Sequence, residues 1–239
     1  MHDFVLNTLI YTLIAMTVMF LGYCTSLVFK VGSSFISASQ HMAAGVVLGA
    51  LCVELVPTVL NEGAHLQVGG GFLIGLILML IIKSITHRLE QKKQKESLPF
   101  GLVTAVSVDV FIDGLLIGIA FISGTQAGIL VGLAISLEVF LLGVSTSATI
   151  KRRRFSTYKI VIISILTSVL IPAGGLFGTQ IVSLLPSSYL TFLISFGIAT
   201  LLYLVVEELL LEAHKVRDTY LTTSTFFIGF LIILLFELP

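Results

Sequence analysis

Residues 100–122 read FGLVTAVSVDVFIDGLLIGIAFI, and residues 127–150 read AGILVGLAISLEVFLLGVSTSATI. Each run is apolar and long enough to cross a bilayer core as a helix, which takes about 20 residues. Each also carries acid near its middle. Asp109 and Asp113 are four residues apart, so a helix sets them on one face. Glu138 belongs to the second run, which must return the other way because only the turn SGTQA (123–127) joins the two. Counted from that turn, Asp113 is about ten residues back and Glu138 about twelve forward, so both lie roughly 15 Å deep, near the bilayer midplane. Three carboxylates at one depth in hydrocarbon stay ionised only with positive charge between them. A metal cation supplies that charge; protons are the alternative.

The remaining chain is of the same kind. Of its 239 residues 56% are hydrophobic and 11% charged, and the mean hydropathy is +1.10. Eight apolar stretches lie near 5–29, 40–60, 69–87, 100–122, 127–150, 158–183, 188–212 and 220–238. The expected fold is therefore an all-α integral membrane protein of eight transmembrane helices. They fill residues 1–239 as a single transmembrane domain, with no room for a separate soluble one. The runs are continuous rather than alternating in polarity, which excludes an outer-membrane barrel. The N-terminal run lacks a basic leader and reads as a retained helix, not a cleaved signal peptide. Cys24 and Cys52 both fall within apolar runs and read as packing residues.

The charge is segregated. Lys30 follows the first run. Lys83, Arg88, Lys92, Lys93 and Lys95 lie between the third and fourth, Lys151 to Arg154 and Lys159 between the fifth and sixth, and Lys215 and Arg217 between the seventh and eighth. These are all thirteen basic residues, and they mark alternate loops. By the positive-inside rule those loops are cytoplasmic, including a basic loop at about 84–99, and both termini lie outside. The basic runs are read as topology signals and not as nucleic-acid patches.

Further features follow in order along the chain. The linker VGSSFISASQ (31–40) is short and polar. The second run has small residues at Ala43, Ala44, Gly45, Gly49 and Ala50, which let helices approach closely. Glu54 lies toward its outer end. Pro172 and Gly174–Gly175 predict a kink in the sixth run. The seventh carries Glu207 and Glu208 near its inner end, then Glu212 and His214. Adjacent helical residues point about 100° apart, so Glu207 and Glu208 cannot face one point: one is expected to line a path while the other pairs with a basic loop residue. No Lys or Arg is expected within any span to neutralise these acids, and such acids mark ion pathways by default. Carboxylate oxygens suit several hard divalent ions. No HExxH or GxSxG motif occurs, and no nucleophile stands beside the acids, so an enzyme is not expected.

Four of these stretches resemble the ZIP (Zrt/Irt-like protein) family of divalent metal transporters. DVFIDG (109–114) is similar to the family's HNFxDG. AISLEVFLLG (134–143) sits in the frame of its fifth-helix H-N/E-x-P-E-G. LLYLVVEELLLEAH (201–214) is close to YxxxEELxPEA, and AAGVVLGALCVELVP (43–57) is similar to AAGxxLGxxFxHLLP. The resemblance implies a transporter importing a divalent cation such as Zn²⁺, Fe²⁺ or Mn²⁺ as substrate, with no organic cofactor. It also implies a plasma-membrane location and pairing of two copies. The metal ligands would be Asp109, Asp113 and Glu138. Glu54 would stand at the entrance, and Glu207, Glu208, Glu212 and His214 near the exit. The helix-five PEG acid falls at Leu142, and the family's second-site positions fall at Val110, Val139 and Ile171. One all-carboxylate site then stands where typical members have a two-metal centre. Two other readings suit the same acids: a proton- or sodium-coupled transporter of another solute, and a metal sensor or receptor that does not translocate.

Overall fold

A computed structural model describes residues 2–29, 32–62, 65–92, 100–152, 155–184, 186, 189–216 and 219–236. Among them there is helix and no strand. In hydrocarbon the backbone must satisfy its own hydrogen bonds, and a helix does so within one segment. The helices are α1 (His2–Val28), α2 (Ser33–Ala50), α3 (Val56–Glu62), α4 (His65–Lys92), α5 (Phe100–Ser123), α6 (Thr125–Arg152), α7 (Thr157–Ser168), α8 (Leu170–Leu184), α9 (Leu190–Leu204), α10 (Leu210–Ala213) and α11 (Tyr220–Phe236). A π-turn at Leu51–Leu55 joins α2 to α3, and another at Val205–Leu209 joins α9 to α10.

Seven helical stretches are long and apolar enough to cross a bilayer: Phe4–Val28, Ser33–Asn61, His65–Ile85, Leu102–Ser123, Thr125–Lys151, Thr157–Ile181 and Leu190–Ala213. The eighth expected span is α11, which is apolar but only 17 residues long. Three local expectations change. The polar linker is helical from Ser33 on, and its Ser37 and Gln40 are buried. The loop expected to start at residue 84 is still helix α4 as far as Lys92, and residues 93–99 lie outside the described residues. The sixth run breaks at Val169. Pro172 has no N–H to give the carbonyl of Ser168, so the helical ladder is interrupted just there.

The apolar windows of α5 and α6 are 61% and 72% buried, against 17% for α4, so the acid-bearing hairpin is the core of the bundle and α4 its outer wall. Gly124 alone separates α5 from α6. Four helix pairs make the closest packing: α1 with α6, α5 with α8, α2 with α11 and α4 with α9. In each a glycine lets one backbone touch the other. A Cβ on Gly114 would lie 1.9 Å from the Ile171 carbonyl oxygen, and one on Gly174 would lie 2.0 Å from that of Phe111, so α5 and α8 meet backbone to backbone. Gly22 against Phe140, Gly45 against Phe226 and Gly71 against Phe192 do the same for the other three pairs.

These pairs assemble into two groups. The first holds α1, α5, α6, α7 and α8, and polar ties reinforce it. Ser147 Oγ donates to the Tyr23 carbonyl (3.1 Å), and Lys151 Nζ donates to the Leu27 carbonyl (2.9 Å) at the end of α1. The second holds α2, α4, α9 and α11. There Ser37 Oγ donates to the Ala213 carbonyl (3.0 Å) and Thr225 Oγ1 to that of Ala38 (2.6 Å).

Candidate metal centre

Because α5 and α6 are antiparallel and joined by one residue, the hairpin brings its acids to one level. Asp109, Asp113 and Glu138 each offer a carboxylate oxygen, and the three oxygens lie within 4.8 Å of one another. Asp113 is 0% exposed and Glu138 3%, while Asp109 is half-buried. Both oxygens of Asp113 and Oε2 of Glu138 are buried with no hydrogen-bond partner. A buried carboxylate without a partner is among the costliest groups a fold can hold. A divalent ion bound at 2.0–2.6 Å has ligand oxygens no more than about 5 Å apart, so one cation satisfies all three at once.

The second-site positions of the resemblance are closed. Val110, Val139 and Ile171 are each 0% exposed and pack in the apolar core, so no further oxygen ligand stands at those three places. Leu142, at the place of the PEG acid, lines the cavity below the triad.

That cavity has a volume of about 380 Å³ and is walled by α2, α5, α6 and the α9–α10 region. It starts at Asp109 and Glu138 and runs past Ser145 and Thr146 to Thr149, Glu212 and Lys215. It therefore opens toward the end of the bundle that carries the basic residues. A second cavity of about 250 Å³, between α4, α5 and α9, also reaches Asp109 and is lined by Lys83, Tyr203, Glu207 and Glu208.

The seventh-run acids divide between two tasks. The Glu208 carboxyl lies beside that of Asp109 and so borders the triad. Glu207 forms an ion pair with Lys83 of α4, whose Nζ lies 5.8 Å from the centre of the Tyr203 ring. The π-turn that carries both acids rotates them out of ordinary helical register, and such turns are frequent at functional sites. Glu212 pairs with Lys215 at the cavity mouth. His214 is exposed, with Nδ1 2.5 Å from the Leu210 carbonyl and its ring centre 5.1 Å from that of buried His41. Glu54 is half-buried in the first π-turn, away from both cavities; Thr58 Oγ1 donates to its backbone carbonyl at 2.7 Å.

Two cavity residues escaped the sequence reading. Lys83 was grouped with a loop, yet it stands inside the His65–Ile85 span and holds Glu207. An intramembrane lysine one turn from a span's end was the available signal. Gln40 was placed in a linker, yet it faces the cavity.

A model of the ZIP zinc transporter family matches residues 98–237, more than half of the chain. The chain belongs to that family. Its members are transporters of divalent metal ions, not enzymes. The match takes in α5 to α11 and so the whole triad, but not the second-run motif at 43–57. Among curated proteins no relative matches the chain.

Proposed function

We propose that this protein carries a divalent cation into the cytoplasm, binding it midway between Asp109, Asp113 and Glu138. The observation that supports this best is the cluster of buried oxygens without partners at the head of a cavity that opens toward the basic end. By the positive-inside rule that end is cytoplasmic. Eight spans with both termini outside complete the topology, since the 17 residues of α11 are within the range that crosses a bilayer. The plasma membrane is the location, and two copies pair there. Glu54 stands near the outer entrance, and Glu207, Glu208, Glu212 and His214 lie along the way out. The first helix group carries the site, and it moves against the second to expose the triad to each side in turn.

Among the described residues no Lys or Arg meets the triad, so the cation and protons compete for the same oxygens. Binding therefore tightens as pH rises and protons leave the acids. Uptake of Mn²⁺, Fe²⁺, Zn²⁺ and Cd²⁺ into liposomes holding the pure protein tests the proposal, beside Asp113→Asn and Glu138→Gln. Saturable uptake that both variants abolish is the expected result. No uptake of any ion by folded protein would sink it.

The apolar filling of the second-site positions favours one rival, a carrier of another solute coupled to protons or sodium. Flux in metal-free buffer under a pH or sodium gradient would mark that rival as correct.

A further inference from the structure

Gln40 is the polar side chain whose setting the triad does not explain. It is 5% exposed, on α2 of the second helix group, and it lines the exit cavity. Its Oε1 is buried without a hydrogen-bond partner. A buried amide oxygen left unbonded is costly, so its place beside a cavity of carboxylates calls for an occupant.

The neighbouring helix fixes its level. Ser37 bonds the carbonyl of Ala213 across the α2–α10 contact. Gln40 is one turn further into the membrane on α2, and α10 runs antiparallel to α2, so Gln40 stands opposite position 210. Glu208 and Glu212 flank that position by two residues on either side. Both line the same cavity as Gln40. Counting back along α6, Ser145 and Thr146 in the facing wall are seven and eight residues beyond Glu138, or roughly 10–12 Å toward the cytoplasmic end.

We infer that Gln40 Oε1, Glu208 and Glu212 form a second cation station in the exit cavity. It takes a hard divalent ion through three oxygens, with water from the cavity filling the remaining positions. The inference rests on the transport reading above. Charge gives the two sites different strengths. The triad presents three carboxylates to the ion, the station two and a neutral carbonyl. Lys215 pairs with Glu212 and competes for it, which helps release the ion. Glu208 also lies beside Asp109, so the station adjoins the triad and can receive the ion that leaves it. A site beside the triad is thus replaced, where Val110, Val139 and Ile171 have closed it, by one further along the path.

The test uses full-length protein in detergent and Mn²⁺ alone, followed by calorimetry and by the Mn²⁺ spin-resonance spectrum. Wild type is expected to bind two ions of unequal affinity, with dipolar broadening at a spacing of roughly 10 Å. Gln40→Leu should keep the tight ion and lose the weak one, and the broadening with it. Gln40→Glu should tighten the weak site about tenfold, as expected when a neutral ligand gains charge. Asp113→Asn should do the opposite of Gln40→Leu and lose the tight ion alone. In liposomes Gln40→Leu should lower kcat several-fold with little change in KM, because the ion enters normally and leaves slowly. A wild type that binds one ion, lost in Asp113→Asn and untouched by either Gln40 variant, would overturn the station and leave the transport reading standing. A wild type that binds none would overturn both.

Discussion

Contacts within each helix group differ from contacts between the groups. Inside a group, backbones meet across glycine: α5 touches α8 at Gly114 and Gly174, and α2 touches α11 at Gly45. Between groups, side chains meet side chains. Gly197 of α9 faces Leu116 and Ile119 of α5, and a Cβ there would lie 3.5 Å and 4.0 Å from them, ordinary contact distances. The first kind of contact has no slack, because a carbonyl cannot move aside. The second can slide, because rotamers can adjust. The carboxylate triad belongs wholly to one group, whereas Gln40, Glu208, Glu212 and the Lys83–Glu207 ion pair belong to the other. Under the proposed movement, a shift of one group against the other would carry the ion past the Gln40, Glu208 and Glu212 side chains on the opposite wall.

The largest break in this comparison is Gly114→Val. Its first added carbon overlaps the Ile171 carbonyl at 1.9 Å, and relief requires the two helices to part. Overpacking costs about 1–3 kcal/mol where side chains can yield, and more here because backbone must move. The expected outcome is loss of the monodisperse folded protein, or a melting temperature lower by ten degrees or more, read by size exclusion and thermal melting.

Asp113→Asn comes next, and it separates function from stability. The Asp113 carboxyl is fully buried and neither of its oxygens has a partner, so the fold carries it at a cost. Replacing it should raise melting stability in metal-free buffer by about 1–3 kcal/mol while flux falls on the order of a hundredfold. Stability that falls along with flux would mean that Asp113 serves packing instead of the cation.

The hairpin, its three acids and the helical class were legible in the sequence because each rests on a short-range rule. Hydrophobic length sets the spans, four-residue spacing sets Asp109 beside Asp113, and a short turn sets Glu138 opposite. The rest depends on pairings distant in the chain. Lys83 finds Glu207 across 124 positions, a contact that neither segment's composition announces. Gln40 looked like linker because SSFISASQ is polar, but its polarity faces other helices and the cavity. The π-turns have no sequence signature of their own; the 100° between neighbours foretold that the two glutamates part, but not that Glu208 meets Asp109 while Glu207 turns to Lys83.

That division between the two glutamates gives a smaller prediction. The Lys83 and Glu207 side chains are 49% and 42% exposed, so their ion pair adds only about 0–1 kcal/mol to stability. Lys83→Met should leave the melting temperature within two or three degrees of wild type. It should free Glu207 to compete for the ion in the cavity it already lines, and so slow release about two- to fivefold with KM little changed. A large loss of stability would show that the pair holds α4 to α9, in place of merely directing Glu207.

The smallest effect is expected at Gly197→Ala, and it is the most informative about motion. The new methyl meets Leu116 Cδ2 at 3.5 Å, so it fills space without forcing a backbone to move. Stability should change by less than about 1 kcal/mol, with helix propensity alone favouring alanine over glycine by about that much. If the groups slide at this face, the added methyl must pass side chains it does not meet at rest. Flux should then fall about twofold to threefold while equilibrium Mn²⁺ binding, measured by calorimetry, is unchanged. If both flux and binding match wild type, the groups do not move against each other across Gly197, and the moving boundary must be sought elsewhere, first between α2 and α6. If flux falls while Gly114→Ala in the rigid seam lowers only stability, the two kinds of contact have been told apart by one methyl group in each.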